Sequence, residues 1–457
     1  MSVKGKIVGD IVFGPIVFHG KESELVETAE LARLREIKQL STVYFFNNSA
    51  RHSRWDHSIG VAGLVKIFLA AQPAGLVSLS DQNDLVSAAL LHDSGHSAWS
   101  HVGELFSSFV GNPIKHDVLS AELVRGTKKY DKYFEKWTLP RVRDILTSKN
   151  QREKVAMLIE GKSPVLVSKN DKKHVTTQEL QQRIRSKIFL GNIINGPSDF
   201  DQAEFLIRDS FMCMSGQGFV DLRGIVRDLG IVDTSVGSKV LAFLNLHFAE
   251  SMISARELLY QGVYLETHNS ITEEVLIRAL NRTYRPKEIY DFWFSTDDDV
   301  MERLHEAAKR DPFVDRICKL FRVCQTYDLI QDINLNDQRL NNQTRENIRF
   351  LGGKGGRKIL LTLEEEICKE LHVPIGDIII GCWNWKKPRL SDAAMQIDGR
   401  DSTVDYESTF LSALGQDRYV DSRTRLVVAC WREVSVPKET ILNNVLHKLG
   451  TNDYVIP

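Results

Sequence analysis

The chain has 457 residues, 42% of them hydrophobic and 26% charged, which is the composition of a soluble globular protein and excludes a disordered or fibrous one. This length favours two domains, or one large domain with an appendage. Lysine and arginine total 59 against 60 aspartates and glutamates, so no overall field would recruit nucleic acid or an anionic membrane, and any site for a polyanion must be local.

Membrane and disulfide signals are both absent from the sequence. Asp10, Gly14 and Pro15 interrupt the apolar N-terminal segment, and no other segment has the length of a spanning helix or a signal peptide. The six cysteines include no CxxC pair, which predicts reduced thiols rather than disulfides or a zinc finger. We therefore expect no membrane association and a location in the cytoplasm or another reducing interior.

The first part of the chain is predicted to be mainly helical. Residues 5–20 have the alternation of a short strand pair, and ELVETAELARLREIKQL follows with helical periodicity. Helical patterns succeed one another from 57 to 125. Residues 126–188 are rich in charge, which predicts solvated helices and loops and a possible insertion or lid. Apolar helical patterns then resume and continue to about residue 333.

Two helix starts carry the pattern of a capping box. Ser270 with Glu273 is the first, and Thr296 with Asp299 before VMERL is the second. Both predict that a helix begins at the serine or threonine.

The pattern changes after LGGKGGRK. KILLTL, DIIIGCWNW and TRLVVACWREV are predicted strands, mixed with the helical LEEEICKELH and TILNNVLHKLG. We therefore expect a mainly α fold with a smaller C-terminal α+β domain. The glycines of 352–356 mark the expected boundary, which gives a core of residues 1–345 and a C-terminal domain of residues 346–457.

Two motifs in the C-terminal part admit an anion-binding interpretation. GGKGGRK lacks the GxxxxGK[ST] spacing of a phosphate loop, so a flexible linker is the preferred interpretation. WNWKKPR at 383–389 mixes aromatic and basic residues and suits either stacking on nucleic acid or, more commonly, an interface or strand end.

The first chemical signal is a cluster of histidines. A lone histidine is more often a satisfied core or surface residue than a ligand. Six of the 13 histidines, however, fall within one short part of the chain, and grouped histidines are typical of metal sites. The six are His52, His57, His92, His96, His101 and His116.

The stretch LLHDSGHSAWSH points to a metal half-site. His92 and Asp93 follow the apolar helical run LVSAALL, where an ionised carboxylate is costly to bury unless it pairs or meets a metal. Gly95 suits a helix end, which would leave His96 and His101 on the next turn facing the same pocket. Two ligands do not hold a catalytic metal, so others must come from elsewhere. By residue type, His57 and an aspartate in PSDFDQAEFLIRDS are candidates.

An ordered set of motifs resembles a known family. RLREIKQL, RWDHSIG, LLHDSGHSAWSH, KHD and DFDQAEFLIRD resemble, in order and spacing, the HD-domain dNTP triphosphohydrolases, the group that contains bacterial dGTPases and the human SAM-and-HD-domain dNTPase. The resemblance covers roughly residues 5–270. It implies a helical HD-domain metal-dependent phosphohydrolase core that cleaves a dNTP to a deoxynucleoside and inorganic triphosphate.

The resemblance also implies roles for individual residues. A divalent metal, Mn, Mg, Fe or a mixed pair, would be held by His57, His92, Asp93 and Asp201. Catalytic groups would be His96, His101, Glu104, His116 and Asp117, with His101 as acid or electrophile at the leaving oxygen. The substrate residues would be Gln39, Leu40, Arg54, Phe205, Asp209, Arg256 and Tyr264.

Some positions depart from the family pattern. Glu104 stands where the family usually has aspartate, and Asp117 stands where it often has glutamate, so either carboxylate could orient the water. Gln202 and Phe205 replace a common lysine and tyrosine. Phe205 can stack but cannot donate a hydrogen bond.

The resemblance implies partners as well. Members are often regulated by nucleotides bound between subunits, and Lys6, Arg33 and Arg35 stand in comparable places. We therefore expect dNTP substrates, a nucleotide effector and a homo-oligomer, with a tetramer favoured. Two other functions stay open: an HD-type phosphodiesterase, nuclease or di-iron oxygenase, and a nucleotide-sensing or scaffold protein with a vestigial metal site.

Overall fold

The computed structural model describes residues 5–166, 176–216, 220–235, 237–353, 355–384, 392–414 and 417–450. Most of the secondary structure in these residues is helical, which confirms the predicted fold class. The helices of the N-terminal half are Lys21–Leu25 (α1), Ala29–Leu34 (α2), Arg54–Ala71 (α3), Leu79–Leu91 (α4), His101–Phe109 (α5), His116–Arg125 (α6), Val142–Ile145 (α7), Lys149–Ile159 (α8), Thr177–Arg185 (α9), Ile188–Asn195 (α10), Phe200–Met212 (α11) and Leu222–Asp228 (α12).

The helices of the C-terminal half follow in the same numbering. A five-residue π-helical segment, Tyr260–Tyr264, directly continues the first of them. They are Leu246–Leu259 (α13), Thr267–Thr283 (α14), Ile289–Trp293 (α15), Asp297–Ala308 (α16), Pro312–Arg322 (α17), Asn342–Leu351 (α18), Gly356–Glu370 (α19), Val404–Glu407 (α20), Thr409–Leu414 (α21), Asp417–Arg423 (α22) and Lys438–Gly450 (α23).

Strands in the described residues form three sheets. The first is an antiparallel hairpin, β1 with β2, in which Lys6 lies opposite Phe18. The second has the order β3-β4-β7-β8 and the third the order β5-β9-β6. The strands are Lys6–Asp10 (β1), Gly14–Phe18 (β2), Leu229–Asp233 (β3), Lys239–Phe243 (β4), Asp328–Asn334 (β5), Ile378–Trp383 (β6), Ala394–Ile397 (β7), Arg400–Thr403 (β8) and Arg425–Cys430 (β9).

Helix α3 lies at the centre of the main core. Ser53 and Asp56 form a capping box at its start, and most of its length is buried on all sides, as expected for a helix that is apolar around its whole circumference. It packs against α4 and α11, and the rings of Phe68 and Phe200 meet edge to face at 4.8 Å between centroids. These three helices carry the predicted metal ligands.

The N-terminal predictions are confirmed in part. The hairpin of residues 5–20 is present, and Thr296 with Asp299 forms a capping box at the start of α16. The box at Ser270 is wrong, because α14 begins one turn earlier and the side chain of Glu266 accepts from the backbone N–H of Asn269.

The charged region 126–188 differs from the expectation of solvated helices. Helix α8 buries Val155, Ala156, Leu158 and Ile159 in the main core, whereas α9 has no buried residue. The predicted lid character therefore suits α9 and does not suit α8. Residues 167–175 of this region lie outside the described part.

One predicted strand in the C-terminal part is a helix. KILLTL belongs to α19, in which Leu360, Leu363 and Ile367 are buried at helical spacing. A short apolar run does not distinguish a strand from a buried helix, which explains the error. The two other predicted strands are β6 and β9.

Strand pairing crosses the predicted domain boundary. β5, before residue 345, pairs with β9, and β4 pairs with β7. The glycine-rich segment joins α18 to α19, where a side chain at Gly356 would overlap the carbonyl of Leu351. The domain boundary at 345 stays a prediction, and two of the sheets contain strands from both sides of it. Residues 385–390 of the WNWKKPR motif and its flank lie outside the described residues.

Two negative expectations concern the described residues alone. All six cysteines are free thiols there. Among the described helices, none combines the length and hydropathy needed to cross a bilayer.

Candidate active site

Three helices bring His57, His92 and Asp201 together. Nε2 of His57 lies 3.2 Å from Nε2 of His92 and 2.9 Å from Oδ1 of Asp201. The distance from Nε2 of His92 to the same oxygen is 3.7 Å. Ligands about 2.1 Å from a divalent ion and at right angles to each other lie about 3 Å apart. The spacing and the nitrogen and oxygen donors therefore fit one such ion.

Asp93 lies between this group and a second one. Its carboxylate oxygens are 3.6 Å from Nε2 of His92 and 3.9 Å from Nε2 of His57. They are also 3.8 Å from Nε2 of His96 and 3.9 Å from Nε2 of His116. Asp93, His96 and His116 thus form a second group that could hold a metal ion. Three of the four predicted ligands, His57, His92 and Asp201, thus form one group. The fourth, Asp93, belongs to the second group but lies within 3.9 Å of both histidines of the first.

Local structure explains how the HD pair is presented. Helix α4 ends at Leu91, and Nδ1 of His92, just past the end, contacts the carbonyl of Ala89 at 2.8 Å. That bond leaves Nε2 directed into the site, as is usual for metal-binding histidines. A side chain at Gly95 would lie 2.6 Å from the carbonyl of His116. Glycine at this position therefore lets α6 approach closely enough to deliver His116.

His96 supplies an independent sign that the site takes a ligand. The residue is fully buried, and neither ring nitrogen has a hydrogen-bond partner among the described residues. Its ring stacks on that of His116 with centroids 4.1 Å apart. Buried polar atoms are rarely left without a partner, so an ion or a polar ligand is expected here.

Electrostatics separate the ligands into ionised and neutral groups. Burial raises the pKa of Asp93, but Arg54 and the surrounding histidines outweigh it and hold this pKa below its usual range. Burial lowers the pKa of His57, but the carboxylates of Glu204 and Asp201 outweigh it and raise this pKa to about 10. For His96, burial and the charge of Arg54 both push the pKa well below its usual value.

The predicted catalytic groups do not all reach the pocket. Nδ1 of His116 contacts Oε1 of Glu104 at 2.5 Å, so Glu104 orients that histidine. His101 lines the pocket with 63% of its side chain exposed, and desolvation within the pocket together with the charge of Arg54 lowers its pKa. Asp117 instead accepts from the N–H of Val118 and lies outside the pocket lining. Neighbouring side chains on a helix diverge by about 100°, so Asp117 and His116 face different directions, and the catalytic role of Asp117 stays a prediction.

Arg54 is a buried partner of the metal ligands. Its Nη1 donates to Oδ2 of Asp93 at 2.8 Å, and its Nε donates to Oγ of Ser100 at 3.0 Å. The nearby carboxylate of Asp56 caps α3 instead, where it accepts from the N–H of Ser53. Arg54 therefore fixes one oxygen of Asp93 while facing the pocket.

A cavity of about 500 Å³ opens beside both groups of ligands. The predicted substrate residues all face it, as do Asp93, Asp201, His96, His101 and His116, while His57 and His92 lie behind the wall. Their placement agrees with the predicted roles, which stay predictions. The predicted substrate residues in the wall are Gln39, Leu40, Arg54, Phe205, Asp209, Arg256 and Tyr264.

Asp209 sits at the far end of the cavity with two partners. Tyr264 donates its hydroxyl to Oδ2 of Asp209 at 2.5 Å, and Nε2 of His52 lies 2.8 Å from Oδ1. The rings of Phe205 and Tyr264 are 6.3 Å apart, edge to face. His52 was assigned no role from the sequence, although its place in RHSRWDH, five residues before a ligand, was a usable signal.

Arg256 faces the cavity with its charge already paired. Its Nη1 donates to Oε1 of Glu257 at 2.7 Å, and its guanidinium lies 4.0 Å from the ring centroid of Tyr260. A bound phosphate would therefore compete with Glu257 for this arginine.

Two further residues were not predicted from the sequence. Oε2 of Glu204 contacts Nδ1 of His57 at 2.5 Å, and Glu273 contributes a carboxyl to the pocket wall. The signal for Glu204 was its position three residues after Asp201, close to the same helix face. In the sequence, Glu273 was noted only as part of a capping box, and no signal marked it as a pocket residue.

Of the two arginines expected at an effector site, Arg33 has a structural role, whereas Arg35 is exposed. Arg33 is completely buried and donates to the carbonyls of His96 and Ser295, so it supports the ligand-bearing turn. Arg35 lies over the ring of Trp55 at 3.4 Å. The expectation that Arg33 binds an effector is wrong, because its guanidinium is not accessible.

Part of the chain matches a known domain family and known enzymes. Residues 54–179 match the HD domain family. The deoxynucleoside triphosphate triphosphohydrolase SAMHD1 of Bos taurus is 38% identical over 101 residues, which are 21% of this chain and 17% of that protein. The chain thus carries an HD domain and resembles the HD-domain dNTPases.

Longer matches come from proteins without a stated activity. An uncharacterized protein of Methanocaldococcus jannaschii is 25% identical over 297 residues, 65% of this chain and 53% of that protein. The chain spans about half the length of the first curated relatives that it matches.

The crystal structure of a phosphohydrolase from Bacteroides thetaiotaomicron superposes with a TM-score of 0.66 at 18% identity, covering 94% of this chain and 100% of that one. That similarity establishes a shared fold.

Proposed function

From the HD domain at residues 54–179, we propose that this protein is a metal-dependent dNTP triphosphohydrolase, which cleaves a dNTP to a deoxynucleoside and inorganic triphosphate. The observation that carries the proposal is a single cavity lined by two chemically different sets of side chains. One set is the metal ligands, and the other is Leu40, Phe205 and Tyr264 with Asp209, which lies about two helical turns after Asp201 on α11. A triphosphate suits the first set and a nucleoside suits the second.

The ligand groups would hold the metal. His57, His92 and Asp201 would bind one ion, and the second group, which contains Asp93, could bind another. When bound, a divalent ion polarises phosphate oxygens and lowers the pKa of a bound water. Manganese, magnesium and iron all accept such mixed nitrogen and oxygen donors.

The protein's own side chains would act on the phosphates. His96 and His116 face the place where phosphate oxygens would lie, and Glu104 fixes the ring of His116. His101, whose pKa is about 4 in the free protein, would donate a hydrogen bond to the leaving oxygen from its N–H. A bound triphosphate favours the protonated ring, which then supplies a proton to the leaving group.

The charges that line the pocket suggest that a triphosphate would bind together with a cation. Asp93, Asp201 and Asp209 face the cavity, whereas Arg54 and Arg256 are already paired with carboxylates. Without a bound cation such a pocket would repel a triphosphate. Gln202, in place of the family's common lysine, supplies no compensating charge.

The nucleoside end would select deoxyribose. Asp209 is held by Tyr264 and His52, and an ionised carboxylate accepts a hydrogen bond from a sugar hydroxyl. Gln39 and Leu40 line the same part of the cavity. A 2′-hydroxyl would meet the side chains of Leu40 and Tyr264, so ribonucleotides are expected to be poorer substrates.

The test is a metal-supplemented assay of the four dNTPs and their ribose counterparts with resolved products. We expect inorganic triphosphate and a deoxynucleoside from at least one dNTP. Loss of an outer partner of a metal ligand typically costs about 10- to 100-fold in metal affinity or activity. We therefore expect removal of a ligand itself to lower the rate by about 100-fold or more. His92→Ala and Asp93→Ala should therefore abolish turnover.

Asp117→Asn tests the predicted catalytic role of a carboxylate that does not line the pocket, and we expect this variant to retain most activity. Release of monophosphate or pyrophosphate would favour a different HD-type phosphohydrolase. Nucleotide binding without turnover, with metal present, would favour a sensing protein. We also propose a homo-oligomer and a nucleotide effector, tested by mass measurement in solution and by assays of mixed dNTPs.

A further inference from the structure

A buried chain of ion pairs runs from the N-terminal hairpin to a metal ligand. Oδ2 of Asp10, at the end of β1, accepts from Nη2 of Arg208 at 2.7 Å. Nε of Arg208 donates to Oε1 of Glu204 at 2.6 Å. The other oxygen of Glu204 contacts Nδ1 of His57 at 2.5 Å. Each of these groups thus has a partner on both sides.

The groups in this chain of ion pairs are shielded from water. Arg208 is 1% exposed and Glu204 is completely buried, and the side chain of Asp10 is 4% exposed. Water therefore cannot substitute for a lost partner, and a buried charge left unpaired is unfavourable. The positions of the groups are consequently interdependent.

The hairpin turn holds Asp10 from the other side. Oδ1 of its carboxylate accepts from the N–H groups of Val12 and Phe13 at 2.8 and 2.9 Å. These bonds connect the conformation of the β1–β2 turn to the position of the carboxylate. The turn and the chain of ion pairs are therefore one connected structure.

Helix α3 leaves room for these contacts. A side chain at Gly60 would overlap Oε1 of Glu204 and Nη2 of Arg208. Gly60 lies one turn after His57 on the same helix, so the ion pairs cross α3 directly beside the ligand. Any larger residue there would have to displace Glu204 or Arg208.

We propose that Asp10 is a positioning residue for metal binding, which acts through Arg208 and Glu204 on the ring of His57. The inference rests on the metal site of the proposed function. A carboxylate only accepts hydrogen bonds, so Glu204 engages Nδ1–H of His57 and fixes the ring with Nε2 facing His92 and Asp201. Loss of Asp10 frees the Nη2 end of Arg208, and Glu204 then follows the guanidinium away from His57.

The test is titration of metal-free protein with Mn²⁺, read by the electron paramagnetic resonance of the free ion. Asp10→Asn keeps an acceptor for the turn but removes the charge that faces Arg208. Gly60→Ala disturbs the same contacts without removing a charge. Loss of an outer partner of a metal ligand typically weakens metal affinity by about 10- to 100-fold, and we expect a rise in Kd of that size for both variants.

The matched control is Glu364→Gln. Glu364 is also a buried carboxylate that pairs with an arginine, Arg278, and Arg278 keeps a second carboxylate, Glu274, as Arg208 keeps Glu204. A variant with a similar loss of thermal stability and an unchanged Kd for Mn²⁺ is expected.

The proposal is overturned if the folded Asp10→Asn variant binds Mn²⁺ as the original protein does, or if Glu364→Gln weakens binding equally. If Asp10→Asn does not fold, the comparison of Gly60→Ala with Glu364→Gln decides. An original protein that binds no Mn²⁺ also overturns it. Because no nucleotide is present, failure to hydrolyse any dNTP would refute the proposed function and leave this comparison intact.

Discussion

At the scale of single residues, pairing decides which charges are available to a ligand. Arg54 and Arg256 both face the cavity, yet each already donates to a carboxylate. His96, by contrast, has buried ring nitrogens without hydrogen-bond partners among the described residues. Both of these arginines are thus already paired, whereas His96 is open to a ligand, which fits the proposed binding of a triphosphate together with a metal ion.

Glu273 gives a prediction about pH. Burial raises its pKa to about 7, with Glu274 adding to the effect and Arg357 opposing it. Because the folded-state pKa lies above the ordinary value of 4.5, the stabilising contribution of this group is complete below pH 4.5 and is lost as the pH rises through 7. The slope reaches about 1.4 kcal/mol per pH unit at most.

Glu273→Gln should remove this dependence. We expect its free energy of unfolding, relative to that of the original protein, to increase between pH 5 and pH 8, measured by urea denaturation of metal-free protein. A difference between the two proteins that is the same at both pH values would contradict the raised pKa.

At the scale of elements, the turn between α4 and α5 decides whether the second ligand group exists. Arg33, Trp293 and Asp297 hold this turn by bonds to the backbone of His96, Gly95 and Trp99 respectively. The backbone of Trp99 and Ser100 is left-handed, with φ of 56° and 52°, a conformation that costs energy for non-glycine residues and persists only where surroundings enforce it. The turn is therefore imposed by its neighbours.

Gly95→Ala tests the role of the turn. The new side chain would overlap the first turn of α6 at Ser120 and His116. Overpacking of this kind destabilises by about 1–3 kcal/mol, and displacement of His116 should also weaken metal binding. Thermal unfolding and Mn²⁺ titration measure the two effects.

Gly9→Ala is the control for that substitution, because a side chain at Gly9 would meet no atom within 4 Å. A Gly95→Ala variant as stable as Gly9→Ala would show that α6 does not need the close approach.

At the scale of the whole molecule, the C-terminal part is joined to the helical core by strands and by a buried ion pair. β9 pairs with β5 and β7 with β4, and Arg278 of α14 donates to Glu364 of α19 at 2.7 Å. The two strand pairs and the ion pair all connect residues on opposite sides of residue 345. Removal of everything after that residue would leave strand edges unpaired and a buried arginine short of a partner.

A fragment of residues 1–345 tests the predicted boundary. Unpaired edges of β4 and β5 promote association between chains, so we expect the fragment to aggregate or to lack a cooperative unfolding transition. Sedimentation and thermal unfolding of the fragment beside the full chain provide the measurement. A soluble fragment with a sharp transition would support an independent core that ends at 345.

How much of the site was predictable depends on where each contact lies in the chain. His92 and Asp93 were recognised as a half-site because an apolar helix ended at a carboxylate, which is local information. The resemblance assigned His57 and Asp201 as partners, and their meeting depends on how α3 and α11 pack. Glu204 was missed because its contact with His57 links residues far apart in sequence, and Glu273 because only the packing of the chain brings it to the pocket wall.

The sequence by itself determined the mainly helical fold, the histidine-rich turn and the order of the ligand motifs, because helical periodicity and ligand spacing are written in neighbouring residues. Only the tertiary structure decided that Asp93 lies between two groups of possible ligands, that Asp117 does not line the pocket and that Arg33 supports the turn from within the core. The reason is physical: a side chain's chemistry is set by its type, but its partner is set by which helices pack against it.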